Sequence, residues 1–225
     1  MTIGRPRKIT PELALQKAVD VFWRYGYQAT SMADLVKATG LHKGSLYQLY
    51  GSKEQLFIAA LNTYIQEIYE STQAIAIQQP DPVMGLHEIF MAILNRFETK
   101  GCQGCMVSNS LNGDTLKLPE VRRILAASMQ MYVEFISELL IKIEAQTALR
   151  LNCRVEDASH LLMMLIIGMS EHLQINQAKQ QVRHVLQTQL NCLLPGYTDY
   201  LQQAIEIKAD AMQPQAQLVM LQAGS

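Results

Sequence analysis

Residues 31–52 contain three helix starts packed around a glycine stop, and few folds accommodate that spacing. Ser31 stands three residues before Asp34, a capping-box-like start in which Asp replaces the usual Glu or Gln. Met32, Leu35 and Val36 then form an inward face, and Gly40 stops the helix. After a very short turn comes GLHKGSLYQLYGSKEQL, residues 40–56. Only Leu46, Leu49 and Tyr50 can form a buried stripe there, so Lys43, Gly44, Ser45, Tyr47 and Gln48 face outward. Ser52, with Gln55 three residues on, opens a further helix. Two short helices joined this tightly make a helix-turn-helix.

Helical periodicity continues on both sides, and no strand-like alternation persists. Thr10 caps a first helix opened by Pro11 and Glu12, with Ala14, Leu15, Ala18, Val21, Phe22 and Tyr25 as its apolar face and Gly26 as a left-handed end. The helix from Ser52 carries Leu56, Phe57, Ala60, Leu61, Tyr64, Ile65 and Ile68 and extends to about Ile75, before QQPDP breaks it. Further helices are expected at Val83–Thr99, Pro119–Gln146, Val155–Asn176 and Lys179–Leu194, with KGCQGCMVSNSLNGD as an irregular or short helical connection. The expected fold is therefore all-α. A helix-turn-helix domain occupies residues 1–70, a larger helical domain 71–210, and a frayed tail 211–225.

The charge distribution suggests what the first domain meets. Residues 1–58 carry a net charge of +4 and the remainder −5. A basic head on an acidic body suits a polyanionic partner; a few surplus lysines on a small segment are the plainer explanation. With 49% hydrophobic residues the chain can bury a real core. The N-terminus MTIGRPRKITPE has no apolar signal region, and the longest apolar run, LLMMLIIGM, is far short of the roughly 20 residues that span a bilayer. A cytoplasmic chain without a membrane partner is expected, and four cysteines make no secreted disulfide framework.

The segment GYQATSMADLVKATGLHKGSLYQLYGSKEQLF resembles the DNA-binding domain of the TetR family of bacterial repressors, through Gly26-Tyr27, Thr30, Gly40, Gly44, Leu46-Tyr47, Tyr50 and Ser52-Lys53-Glu54. The resemblance covers about a quarter of the chain. It departs from the family pattern at His42, where Ser is usual, and at Leu49-Tyr50, where His-Phe is common. It implies a dimeric, all-helical repressor that binds a double-stranded operator and whose second half takes a small apolar or aromatic effector.

In a helix-turn-helix the second helix enters the major groove; phosphate contacts supply affinity and base edges specificity. Lys43 can reach guanine acceptors or a phosphate, Ser45 several base edges, and Gln48 adenine N6 and N7 unless it is merely solvated. Gly44 lets the backbone approach closely. The Tyr47 and Tyr50 hydroxyls can donate to phosphate, with Tyr50 also a core candidate. Lys53 at a helix N-terminus favours a phosphate. Thr30 and Ser31 can act likewise, or as pure caps, and His42 can touch DNA or bond locally. Arg5 and Arg7 form either a minor-groove arm or a solvated tail.

By the same resemblance an effector pocket lies among residues 83–99, 119–146 and 155–176, with Phe90, Phe97, Met129, Tyr132, Phe135, Met164 and His172 as wall candidates. Plain core filling is the alternative for these side chains. The last two long helices have apolar faces broad enough either to pair with a second copy as a four-helix bundle or to pack within one chain. Cys102-Gln103-Gly104-Cys105 lacks the second ligand pair that zinc needs, so no metal and no cofactor is expected. Gly104-Cys105-Met106-Val107-Ser108-Asn109 resembles a Gly-Cys-x-x-x-Asn segment of one TetR-family subgroup, some of whose members sense oxidants or electrophiles. Cys105 is the matching residue and Cys102 an extra. An inert buried thiol is the alternative to a sensing one. The five histidines and their acidic neighbours form no catalytic spacing, so an enzyme is not expected.

Overall fold

The computed structural model describes residues 9–99, 104–111, 113–176 and 179–206, with the main chain alone described at 97–99 and 176. Every regular element among them is helical: α1 Pro11–Ala29, α2 Met32–Thr39, α3 Lys43–Tyr50, α4 Lys53–Gln78, α5 Pro82–Thr99, α6 Met106–Ser110, α7 Pro119–Gln146, α8 Val155–Asn176 and α9 Lys179–Leu193, with a 3-10 turn at Gly113–Lys117. The all-α fold is as expected. A further helix, α10, covers 197–206 among the described residues and was not legible in the sequence. It docks through the buried Tyr197, whose hydroxyl lies 3.2 Å from His87 Nδ1, and through Tyr200, whose hydroxyl donates to Asp81 at 2.8 Å. The tail from Ala211 lies outside the described residues.

Local chemistry explains the boundaries. The Thr10 side chain accepts from the Leu13 N–H, and Pro11 takes the first turn of α1. Gly26 adopts a left-handed φ of 74°, as a helix end requires, yet the chain coils once more to Ala29, so α1 is kinked there and not terminated. Ser31 and Asp34 form a complete reciprocal capping box. At α4 only half of one forms: the Ser52 side chain accepts from the Gln55 N–H.

Two hydrophobic cores result. One joins Phe22 and Trp23 of α1, Leu35, Leu46 and the first half of α4 with Met106, Val107, Val121, Ile124 and Leu125. The other packs α5, α7, α8, α9 and α10, with Phe90, Leu140, Leu162, Leu173, Leu186 and Tyr197 at its centre. The 26-residue α4, about 39 Å at roughly 1.5 Å per residue, belongs to both; Ile75 and Ala76 near its end pack on the second core. α7 has the length and hydropathy of a membrane span, but its apolar stripe is committed to these cores.

Candidate DNA interface and effector cavity

α3 is held to the head mainly through Leu46 and the half-buried Tyr50 ring, both packed on the head core. Leu46, 1% exposed, is its one buried residue, and the Tyr50 hydroxyl donates to the Pro11 carbonyl at 3.2 Å. The Tyr50 hydroxyl is therefore committed to α1. Leu49, expected in the buried stripe, is 46% exposed, because it flanks the contact line that Leu46 makes. The outward face carries Lys43, Gly44, Tyr47 and Gln48, with Ser45 half-buried at its edge. The Lys43 ammonium lies 5.9 Å from the Tyr47 ring centroid.

Gly44 is informative by what surrounds it. A β-carbon there would meet nothing within 4 Å, and its φ is not left-handed. The fold does not need glycine at this position, the second residue of α3. The absence of a side chain there suits a surface on which another molecule must come close to the backbone.

Around this helix, His42 is exposed and makes no side-chain cap bond. Ser31 exchanges bonds with Asp34, its hydroxyl donating at 2.6 Å and its Oγ accepting from the Asp34 N–H at 3.2 Å. The Ser31 hydroxyl and the Ser31 backbone N–H, both donating to it, hold the Asp34 carboxyl below the ordinary range. Lys53 sits 4.5 Å above the Tyr27 ring at the start of α4, and partial burial lowers its pKa. Thr30 requires a correction: it is 1% exposed and its hydroxyl donates to the Gly26 carbonyl at 2.7 Å, so its side chain closes the kink in α1 and presents nothing outward.

A cavity of about 100 Å³ lies where α4, α5, the 104–108 segment, α7 and α8 meet. Ile65, Ile68, Leu86, Ile89, Phe90, Ile93, Phe135, Ile136, Leu139, Met163, Ile166 and Ile167 make it apolar. The Thr72, Ser128 and Ser170 hydroxyls in its wall donate backwards to the Ile68, Leu125 and Ile166 carbonyls of their own helices. The remaining polar groups are few. The Arg96 guanidinium lies 5.2 Å from the Trp23 ring centroid and 5.3 Å from that of Tyr64. The Tyr132 hydroxyl is buried beside Thr72 without a well-formed hydrogen bond, and burial raises its pKa. The Tyr64 hydroxyl donates to Cys105 Sγ at 3.6 Å, and burial pushes its pKa well up. An apolar enclosure with a handful of convergent polar groups is the usual form of a small-molecule site.

The family model for "Bacterial regulatory proteins, tetR family" matches residues 14–60, which include all of α2 and α3. The chain is 31% identical over 169 residues to the HTH-type transcriptional repressor ComR of Escherichia coli K12, covering 74% of this chain and 80% of that protein. It is 35% identical over 115 residues to the repressor BdcR of the same strain, covering 48% and 56%. A cysteine-substituted variant of the TetR-family regulator CifR, complexed with 26-bp operator DNA, superposes with a TM-score of 0.74 at 27% identity, covering 84% of this chain and all of that one. The chain belongs to the TetR family.

As a TetR-family member it is a DNA-binding regulator of transcription and not an enzyme. Among the residues read from the sequence, Phe90, Tyr132, Phe135 and Cys105 line the cavity. Met129, Met164 and His172 do not; Met164 is 61% exposed on the outer side of α8, because the apolar circumference of that helix conceals which side faces inward. Arg5, Arg7 and Cys102 lie outside the described residues, as does the Phe97 side chain. Sequence reasoning missed Tyr64 and Arg96. Tyr64 fell within a stripe assigned to the core, and a single arginine on an amphipathic helix carries no local mark of burial. Among the described residues no group of three or more His, Cys, Asp or Glu could hold a metal ion.

Proposed function

We propose that the chain is a cytoplasmic homodimeric repressor, which binds a two-fold symmetric operator through the α3 pair and lets go when a small apolar or aromatic molecule enters the cavity. The observation that carries this reading is the continuity of α4. Lys53 and Leu56 at its start belong to the head, whereas Tyr64, Ile65, Ile68 and Thr72 farther along line the cavity. A ligand that favours a wall arrangement with altered head spacing weakens operator binding by its differential affinity for the two states. A likeness in kind to the operator-bound CifR variant supports the DNA side. The exposed Leu161, Met164, Ile175 and Val185 on α8 and α9 supply apolar surface for a second copy, with half-sites about 34 Å apart or more.

Selection from random DNA with the full chain should return inverted repeats. With the selected operator, Lys53→Ala should weaken binding evenly across sequences and reduce the slope of log affinity on log salt by about two, one for each protomer of the dimer. Gln48→Ala should instead relax one symmetric pair of positions, at about 1–3 kcal/mol. Enrichment of unsymmetrical sequences, or an unchanged salt slope, would sink this assignment of the face.

The position of Cys105 favours a second reading of the trigger. Its thiol is in the cavity wall and accepts from Tyr64, so a soft electrophile entering the cavity meets a nucleophile. A Cys102→Ser, Cys105→Ser chain should keep its operator affinity and no longer be released by N-ethylmaleimide. Normal release of that chain would make the thiols structural.

A further inference from the structure

We propose that Trp23 is the positioning residue through which the state of the cavity is passed to the DNA-binding head. Trp23 is the only tryptophan of the chain, is buried on α1, and lies outside the cavity lining. It nevertheless contacts three parts of the cavity wall. Its indole N–H donates to the Gly104 carbonyl at 2.9 Å. Its ring meets Tyr64 edge-on at 5.3 Å between centroids and carries the Arg96 guanidinium at 5.2 Å.

Gly104 is pinned where this bond needs it. Its φ is 72°, a left-handed conformation that glycine adopts without penalty. A β-carbon there would overlap the side chains of Gln174 and Asn109, which are themselves joined by a Gln174 Nε2 to Asn109 Oδ1 bond of 2.9 Å. Gly104 is therefore closely packed by Gln174 of α8 and Asn109 of α6 on its side-chain side. Cys105, the next residue, lines the cavity.

The other end of α1 reaches the DNA face. Its first residue, Pro11, offers the carbonyl that accepts the Tyr50 hydroxyl of α3. A displacement of Gly104–Cys105 by an occupant thus pulls on α1 at Trp23, and α1 pulls on α3 at Pro11. This route runs alongside α4, which it touches at Tyr64, and uses one directional hydrogen bond at each end. A packed chain of contacts becomes a coupling route only when its removal changes the coupling, and that is measurable.

The inference rests on the cavity being the effector site, and the test separates the two. A chain with Cys102, Cys153 and Cys192 changed to Ser retains Cys105 as its one thiol. N-ethylmaleimide fills the cavity at that position: the sulfur bonds to one alkene carbon, the thiol proton ends on the other, and intact mass confirms the adduct. The adduct should weaken binding to the selected operator at least tenfold. Trp23→Phe keeps an aromatic ring and removes the N–H donor. Unmodified, it should bind operator within threefold of its parent, and its adduct should weaken binding less than threefold. A full tenfold loss in the Trp23→Phe adduct overturns the role of Trp23 and leaves the cavity reading standing. An adduct of the parent that binds operator normally overturns both. Because Trp23 is the sole indole, its emission gives a second readout that needs no change at that residue. The adduct should shift the parent's emission maximum, and operator should oppose the shift; lost affinity with unmoved emission overturns the proposal.

Discussion

Leu46→Ala should cost at least a hundredfold in operator affinity while leaving small-molecule binding in the cavity unchanged. α3 has one fully buried side chain, and its remaining hold on the head is Tyr50, whose half-buried ring packs on the core and whose hydroxyl donates to the Pro11 carbonyl. Truncating a buried leucine removes about 2–5 kcal/mol. Little else on α3 can absorb that loss, so it falls on the docking of the recognition helix. A displacement free energy near 3 kcal/mol corresponds to about a hundredfold in binding. Anisotropy titration against the selected operator, with amide exchange over residues 43–50, measures both sides of the effect. Operator affinity within threefold of the parent would show that α3 is held by something other than Leu46.

The second large effect is expected in the cavity. Ser128 is buried in its wall, with its hydroxyl turned back on the Leu125 carbonyl, so the side chain offers a ligand little more than its small size. Ser128→Leu places three further carbons into a space of about 100 Å³. Any occupant then loses that room, and affinity for a cavity ligand should fall at least a hundredfold. Operator binding should persist, giving a repressor that no longer responds. Thermal unfolding should show a changed midpoint with retained cooperativity, since overfilling a core typically costs about 1–3 kcal/mol when no void is available and less when one is. Unimpaired release of the Ser128→Leu chain by a ligand that releases the parent would place the effector elsewhere.

The parts of this molecule that were legible in the sequence are those set by local chemistry. Ser31 and Asp34, Thr10 and Pro11, and Gly40 act on backbone groups within a turn of themselves, so their residue types announce helix ends directly. Leu46 could be assigned inward by period alone. The cavity was legible only as a region. On α8 the lining residues Met163, Ile166, Ile167 and Ser170 alternate with equally apolar ones that face outward, and nothing in the pattern fixes the rotation of the helix. Trp23 marks the farther limit. Its partner, the Gly104 carbonyl, is 81 residues away, and the side chain packed closest on that glycine is Gln174, another 70 positions on. No window along the chain contains those three residues together. Leu49 shows a smaller failure of the same kind: a flanking position on a short helix reads as core until the width of the actual contact is known.

The core that joins Phe22, Trp23 and Leu46 to Val121, Ile124 and Leu125 has a consequence for building hybrid regulators. A splice placed after residue 70, where the recognition module ends by sequence pattern, would cut through α4 and part the head from the α7 segment that completes its interior. The transplanted module would arrive with an open apolar seam, and the recipient body would carry the mismatched half of it. This head is therefore expected to keep a closed interior on another body only when the first two turns of α7 and residues 104–107 move with it. In an inherited lineage these distant segments should change in step, as parts of one inseparable unit.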